Sequence, residues 1–165
     1  MLRTFVFIVL TLTPLIGASQ DMTFQKHSFC KFSIDLPAEW RIYQSKDELS
    51  SGLCSYEVSL KNGFIVMKLV SKPITSLNCS DLRSCTVEAL FQKALKESTL
   101  SVTYKFLGKG FFVISGFNKR NGNIVYWKRV LGDGFVSDMH LEYRDERRAA
   151  VDPYMNRISR SFVSR

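Results

Sequence analysis

The chain has 165 residues, 45% hydrophobic and 23% charged, with 23 Lys plus Arg against 15 Asp plus Glu for a formal charge of +8. These values belong to an ordinary globular domain and exclude disorder or collagen-like structure as descriptions of the whole chain. A chain of this length buries enough core to fold without depending on disulfides.

Residues 1–19 read as a signal peptide. Arg3 is followed by an apolar run opening with Phe5-Val6-Phe7-Ile8-Val9-Leu10 and ending near Ile16, then by Gly17-Ala18-Ser19. A basic start, a short apolar middle and a small-residue end is the secretory layout, with cleavage expected after Ala18 or Ser19. The run holds roughly a dozen residues where a bilayer needs about 20, which argues against an uncleaved anchor. The expectation is an exported protein, periplasmic or secreted, with residues 20–165 as a single domain of formal charge +7.

Export changes the meaning of Cys30, Cys54, Cys79 and Cys85. An even count in an oxidising compartment reads as two disulfides. Four cysteines allow three pairings; the favoured one joins Cys79 to Cys85 around a small loop and Cys30 to Cys54. A redox or zinc site is the alternative, but no C-x-x-C pair is present.

Along the mature chain, Lys31-Phe32-Ser33-Ile34-Asp35-Leu36-Pro37 alternates as a half-buried strand stopped by proline. Ala38 to Tyr43 is a turn into a short aromatic strand, and Gln44 to Gly52 is a polar loop. Cys54–Lys61 and Phe64–Val70 form a hairpin about a two-residue Asn62-Gly63 turn. Val87, Leu90, Phe91, Ala94 and Leu95 lie on one face of a helix over Thr86–Ser98, capped by Thr86. Strands follow at Val102–Leu107, Gly110–Phe117 and Asn123–Leu131, the last two joined by the turn Lys119-Arg120-Asn121-Gly122. A further strand after Gly132-Asp133-Gly134 sets Phe135, Met139, Leu141 and Tyr143 opposite Asp138, His140 and Glu142. Val151, Tyr154, Met155, Ile158 and Phe162 stripe a final helix, with Asp152-Pro153 as its cap and first turn. A helix starting earlier, near Asp145, is the other reading, with Pro153 then bending it. The fold class is α+β: an antiparallel β-sheet meander with helices packed on it.

Catalytic patterns are absent from the sequence. His27 and His140 are the only histidines, far apart and without a metal-ligand spacing, so no metal and no cofactor is expected. His140 reads as a solvated residue on a polar strand face. There is no Gly-x-Ser-x-Gly elbow, and Gly108-Lys109-Gly110 lacks the spacing of a phosphate loop. Asp133, Asp138, Glu142 and Asp145 are the carboxylates a small hydrolase would draw on, but no pattern places two of them about a cleft. Asn78-Cys79-Ser80 fits a glycosylation sequon.

Positive charge is the remaining signal. Tyr126 with Lys128 and Arg129, and Arg144 with Arg147 and Arg148, form the candidate binding surface in the C-terminal third. Export argues against nucleic acid and leaves anionic lipid, acidic glycan or an acidic protein as partners. A solvated face with arginines in excess explains the same residues, and Val125, Trp127 and Leu131 read equally well as core.

The stretch Phe32-Ser33-Ile34-Asp35-Leu36-Pro37-Ala38-Glu39-Trp40 resembles the opening of the PsbP/Mog-like superfamily. Leu141-Glu142-Tyr143, followed by a helix ending Arg157-Ile158-Ser159-Arg160-Ser161-Phe162, resembles its close. Val102-Thr103-Tyr104, Phe111-Phe112-Val113-Ile114-Ser115-Gly116 and Ile124-Val125-Tyr126-Trp127 resemble the meander of its small exported envelope members, the DcrB-type proteins among them. The likeness covers residues 31–163; the four cysteines and the Cys79–Cys85 insertion depart from it. It implies an α/β/α sandwich and a non-catalytic accessory or interaction module that binds another envelope or secreted protein. A binder of anionic lipid or glycan is the alternative, and a carboxylate-dependent hydrolase the second alternative.

Overall fold

The computed structural model describes residues 23–44, 53–77 and 85–165. The expected signal peptide, the loop after Gln44, Cys79 and the Asn78 sequon lie outside the described residues. The strands are β1 (Phe24–Phe29), β2 (Phe32–Pro37), β3 (Arg41–Gln44), β4 (Cys54–Ser59), β5 (Ile65–Pro73), β6 (Leu100–Gly108), β7 (Phe111–Asn118), β8 (Ile124–Leu131), β9 (Phe135–Tyr143) and β10 (Val163–Ser164). The helices are α1 (Val87–Glu97) and α2 (Arg148–Ser161). Seven strands make one antiparallel sheet in the order β3-β4-β5-β9-β8-β7-β6, and β1-β2-β10 make a small second one.

The helices cover opposite faces of the large sheet, giving the expected α+β sandwich. On one face, Val87, Leu90, Phe91 and Ala94 of α1 bury against Phe112 and Ile114 of β7, with Trp127 and Leu131 of β8 packed alongside. Thr86 Oγ1 accepts the Ala89 N–H at 3.2 Å, capping α1. On the other face, α2 and β2 close the main core over β5 and β9, with Phe32, Leu69, Met139, Leu141, Ile158 and Phe162 all fully buried. Each such side chain contributes roughly 1.5–3 kcal/mol relative to an exposed one.

Three local expectations need correction. β2 is buried on both sides rather than half-buried: even Ser33 is enclosed, because β2 is the middle strand of a sheet pressed into the core. β10 reaches only Phe32 and Ser33, so the Asp35 N–H finds Ser161 Oγ at 2.8 Å instead of a ladder partner. The hairpin between β4 and β5 turns through Lys61-Asn62-Gly63, a three-residue loop closed by Leu60 N–H to Phe64 O at 2.9 Å, with Gly63 left-handed at φ 82°. The final helix starts at Arg148, preceded by a 3-10 turn at Asp145–Arg147, and Pro153 sits inside it.

The turn before Pro153 is held down by packing and charge. Val151 is fully buried, and Arg148 pairs with Asp145 at 3.3 Å and Asp152 at 3.6 Å. Asp152 is therefore no helix cap; it accepts the Tyr143 hydroxyl at 2.6 Å. Burial and this carboxylate push the Tyr143 phenol well above its ordinary range.

The disulfide Cys30–Cys54 is present and ties the β1–β2 turn to the start of β4. Cys85 is also disulfide-bonded.

Candidate interaction surface

The six residues of the basic candidate surface do not share one place. Tyr126 and Lys128 alternate with Trp127 and Arg129 on β8, so the two pairs face opposite sides of a strand covered on both faces. Tyr126 and Lys128 point beneath α2. The Tyr126 hydroxyl meets Ser159 Oγ at 2.5 Å, and burial raises its pKa. Lys128 is only 6% exposed. Its Nζ donates to the carbonyls of Ser159 at 2.7 Å and Phe162 at 3.0 Å, filling acceptors that the end of α2 leaves open. Burial lowers its pKa. Arg129 lies on the α1 side, bidentate to Asp138 at 2.6 and 2.8 Å, with Trp127 Nε1 donating to the same carboxylate at 2.9 Å.

Arg144, Arg147 and Arg148 gather instead at the entry to α2. Arg147 lies 5.2 Å from the Phe64 ring and Arg148 holds the aspartates described above. Lys128 is at the other end of this helix, about 20 Å away by the rise of its 14 residues. The candidate surface thus resolves into two internal cations and a separate arginine cluster.

The carboxylates of β9 are committed as well. Asp138 is taken by Arg129 and Trp127. Glu142 Oε1 accepts side-chain amides from Asn118 at 3.1 Å, Asn121 at 2.9 Å and Asn123 at 3.0 Å. Burial alone would raise the Glu142 carboxyl, but these donors bring it below its ordinary range. His140 stands between the two acids, beside a depression of about 250 Å³ lined also by Lys68 and Val66. It is half-buried rather than solvated. Burial pulls the imidazole below its ordinary value; Glu142 and Asp138 oppose this, and Lys68 adds to it. A general acid needs a carboxyl whose pKa is raised, and these surroundings do the opposite for Glu142. Asp133 and Asp145 are exposed. Among the described residues no group of three His, Cys, Asp or Glu could hold a metal ion.

A different region has the character of a docking surface. β6 is the end strand of the sheet, and Ser101 through Leu107 are all exposed. Its outer edge carries backbone groups that no described strand pairs. On the α2 side of the sheet, beyond the β8 residues that α2 touches, Tyr104 is 53% exposed, Phe106 46% and Phe117 42%. Phe106 leans on Phe111 with ring centroids 5.7 Å apart. Lys109, Lys119 and Arg120 stand at the ends of this hairpin and Lys105 on the other face of β6, all exposed and none ion-paired among the described residues. No Asp or Glu occurs from Ser98 to Gly132. That run without acid is the sequence signal for this region.

No protein-family model and no curated protein matches the chain. Among solved structures, the chain is similar to cyanobacterial PsbP (CyanoP) from Synechocystis sp. PCC 6803, with a TM-score of 0.55 and 12% identity over 90% of this chain and 96% of that one. It is also similar to LpqN, involved in cell envelope biogenesis of Mycobacterium tuberculosis, with a TM-score of 0.40 and 11% identity over 87% of this chain and 91% of that one. The likeness to CyanoP spans nearly the whole of both chains, and with the observed sheet order and helices it establishes the architecture: the chain has a PsbP-like fold.

Proposed function

We propose that the chain is an exported, non-catalytic accessory module that binds another protein of the cell envelope through β6 and its hairpin with β7. The observation that carries this reading is an end strand exposed on both faces, bearing large aromatic side chains and, with the turn after it, Lys105 and Lys109, with no acid among them. Aromatic rings supply contact area at low entropic cost, and a free sheet edge offers main-chain hydrogen bonds to an extended partner segment. The Cys30–Cys54 disulfide and the N-terminal signal pattern support export to the periplasm or the outside. CyanoP shares the fold, which by itself transfers no partner.

Crosslinking of the processed protein in its native envelope, at low and high salt, tests the reading. The expected result is one protein enriched at both salts and lost from a Tyr104→Ser/Phe106→Ser variant. Recovery of lipid or glycan only at low salt would replace it with the second reading, a binder of anionic surfaces. The unpaired Lys105, Lys109, Lys119 and Arg120 favour that alternative, because exposed charges attract in a salt-dependent way.

A further inference from the structure

A cavity of about 460 Å³ opens where the β6–β7 turn, β8 and the end of α2 meet. Phe111, Phe162 and Val163 give it an apolar wall, and Lys109, Lys128 and Arg160 line it with three cations. Among the described residues no carboxylate lines it. Lys128 is the unusual member. It is almost fully buried, yet among the described residues its ammonium is met only by two backbone carbonyls and by the Phe111 ring, 4.9 Å away. A lysine carries three donors, so one N–H remains beyond the two carbonyls. A buried charge without an ionic partner is costly, and an anion brought to it gains strongly in this environment. Lys109 and Arg160 at the rim form no ion pair among the described residues and supply the remaining attraction.

We infer that this cavity binds a single amphipathic anion, its carboxylate or phosphate head set among Lys109, Lys128 and Arg160 and its alkyl tail against Phe111 and Phe162. The contact from Phe111 to Phe106 continues the apolar wall onto β6, which gives a longer tail a track. The site adjoins the docking surface at β6, sharing Lys109 and the Phe106–Phe111 contact with it, but the inference does not rest on protein docking there.

Titration calorimetry of the processed full-length chain tests the inference with decanoate, decan-1-ol and inorganic phosphate. Decanoate is expected to bind at least about tenfold more tightly than the alcohol or phosphate, the margin one charge-assisted hydrogen bond supplies. Because Lys128 supports α2, the test variant is Lys109→Gln/Arg160→Gln, which touches only exposed rim residues. It should weaken decanoate by about tenfold or more and leave decan-1-ol unchanged, with an unaltered melting temperature. Equal affinity for acid and alcohol, phosphate binding as tightly as decanoate, or indifference to the double variant would each overturn the site. So would binding to anionic phospholipid vesicles with none to free decanoate, which would assign the charge to a membrane surface.

Discussion

β6 and β8 each carry a tyrosine, a second aromatic ring and a lysine, and use them in opposite ways. β6 reads Tyr104-Lys105-Phe106-Leu107 and β8 reads Tyr126-Trp127-Lys128-Arg129. On β8, flanked by β7 and β9 and covered on both faces, each polar group is answered inside the molecule: Tyr126 by Ser159, Lys128 by the end of α2, Arg129 by Asp138. On β6, at the end of the sheet, the same residue types face solvent. An aromatic–basic sequence motif therefore does not define a binding patch. Its position across the sheet does, because burial turns each cation into an internal fastener.

The comparison breaks most visibly at Arg129. Arg129→Ala leaves Asp138 enclosed without its partner and is expected to cost about 3–5 kcal/mol in urea unfolding. An Arg129→Met/Asp138→Leu chain should recover most of that loss. Lys128→Met keeps the apolar stem but strips the Ser159 and Phe162 carbonyls of their donor; a loss of about 2 kcal/mol is expected by the same method. The β9 side of the same core should make stability fall on acidification. The His140 pKa is lowered in the folded chain, so below its ordinary 6.5 the unfolded chain takes up a proton first, and stability drops until the folded value is passed. Unfolding free energies at about pH 7.5 and about pH 5.5 should differ in the wild type and converge in His140→Asn. At the small end, Tyr104→Ser and Phe106→Ser should each change stability by no more than about 0.5 kcal/mol. If Phe106→Ser cost as much as Lys128→Met, β6 would be a structural element and the contrast would fail.

Periodicity revealed most of the elements. Val87, Leu90, Phe91 and Ala94 spelled out α1, and the alternation of Met139, Leu141 and Tyr143 against Asp138, His140 and Glu142 gave both faces of β9. What local patterns could not carry was adjacency. β9 lies beside β5, and β6 at the edge, through pairings made far along the chain. Tyr126 and Lys128 accordingly looked as available as Tyr104 and Lys105. β1 and β10 are not legible in the sequence because a strand with a mostly exposed side and a two-residue strand leave little pattern to read. Pro153 leaves the start of α2 open between two readings in the sequence, and the burial of Val151, a tertiary effect that offsets the proline's cost, decides for the earlier one.

The junction of β5 with β9 has a bearing on how the chain reaches this state. The large sheet is two meanders, β3-β4-β5 and β6-β7-β8-β9, each built from neighbours in sequence. They meet along a single seam that pairs Met67–Pro73 with Leu141–Phe135, residues more than sixty positions apart. Local hairpins close quickly, while distant pairings wait on the entropy of bringing the chain together. Within the large sheet, zipping of that seam under β2 and α2 is the expected slow event in folding. Substitutions at Leu69 or Met139 would slow refolding, whereas substitutions on β6, which pairs only within its own local hairpin with β7, would leave that rate untouched.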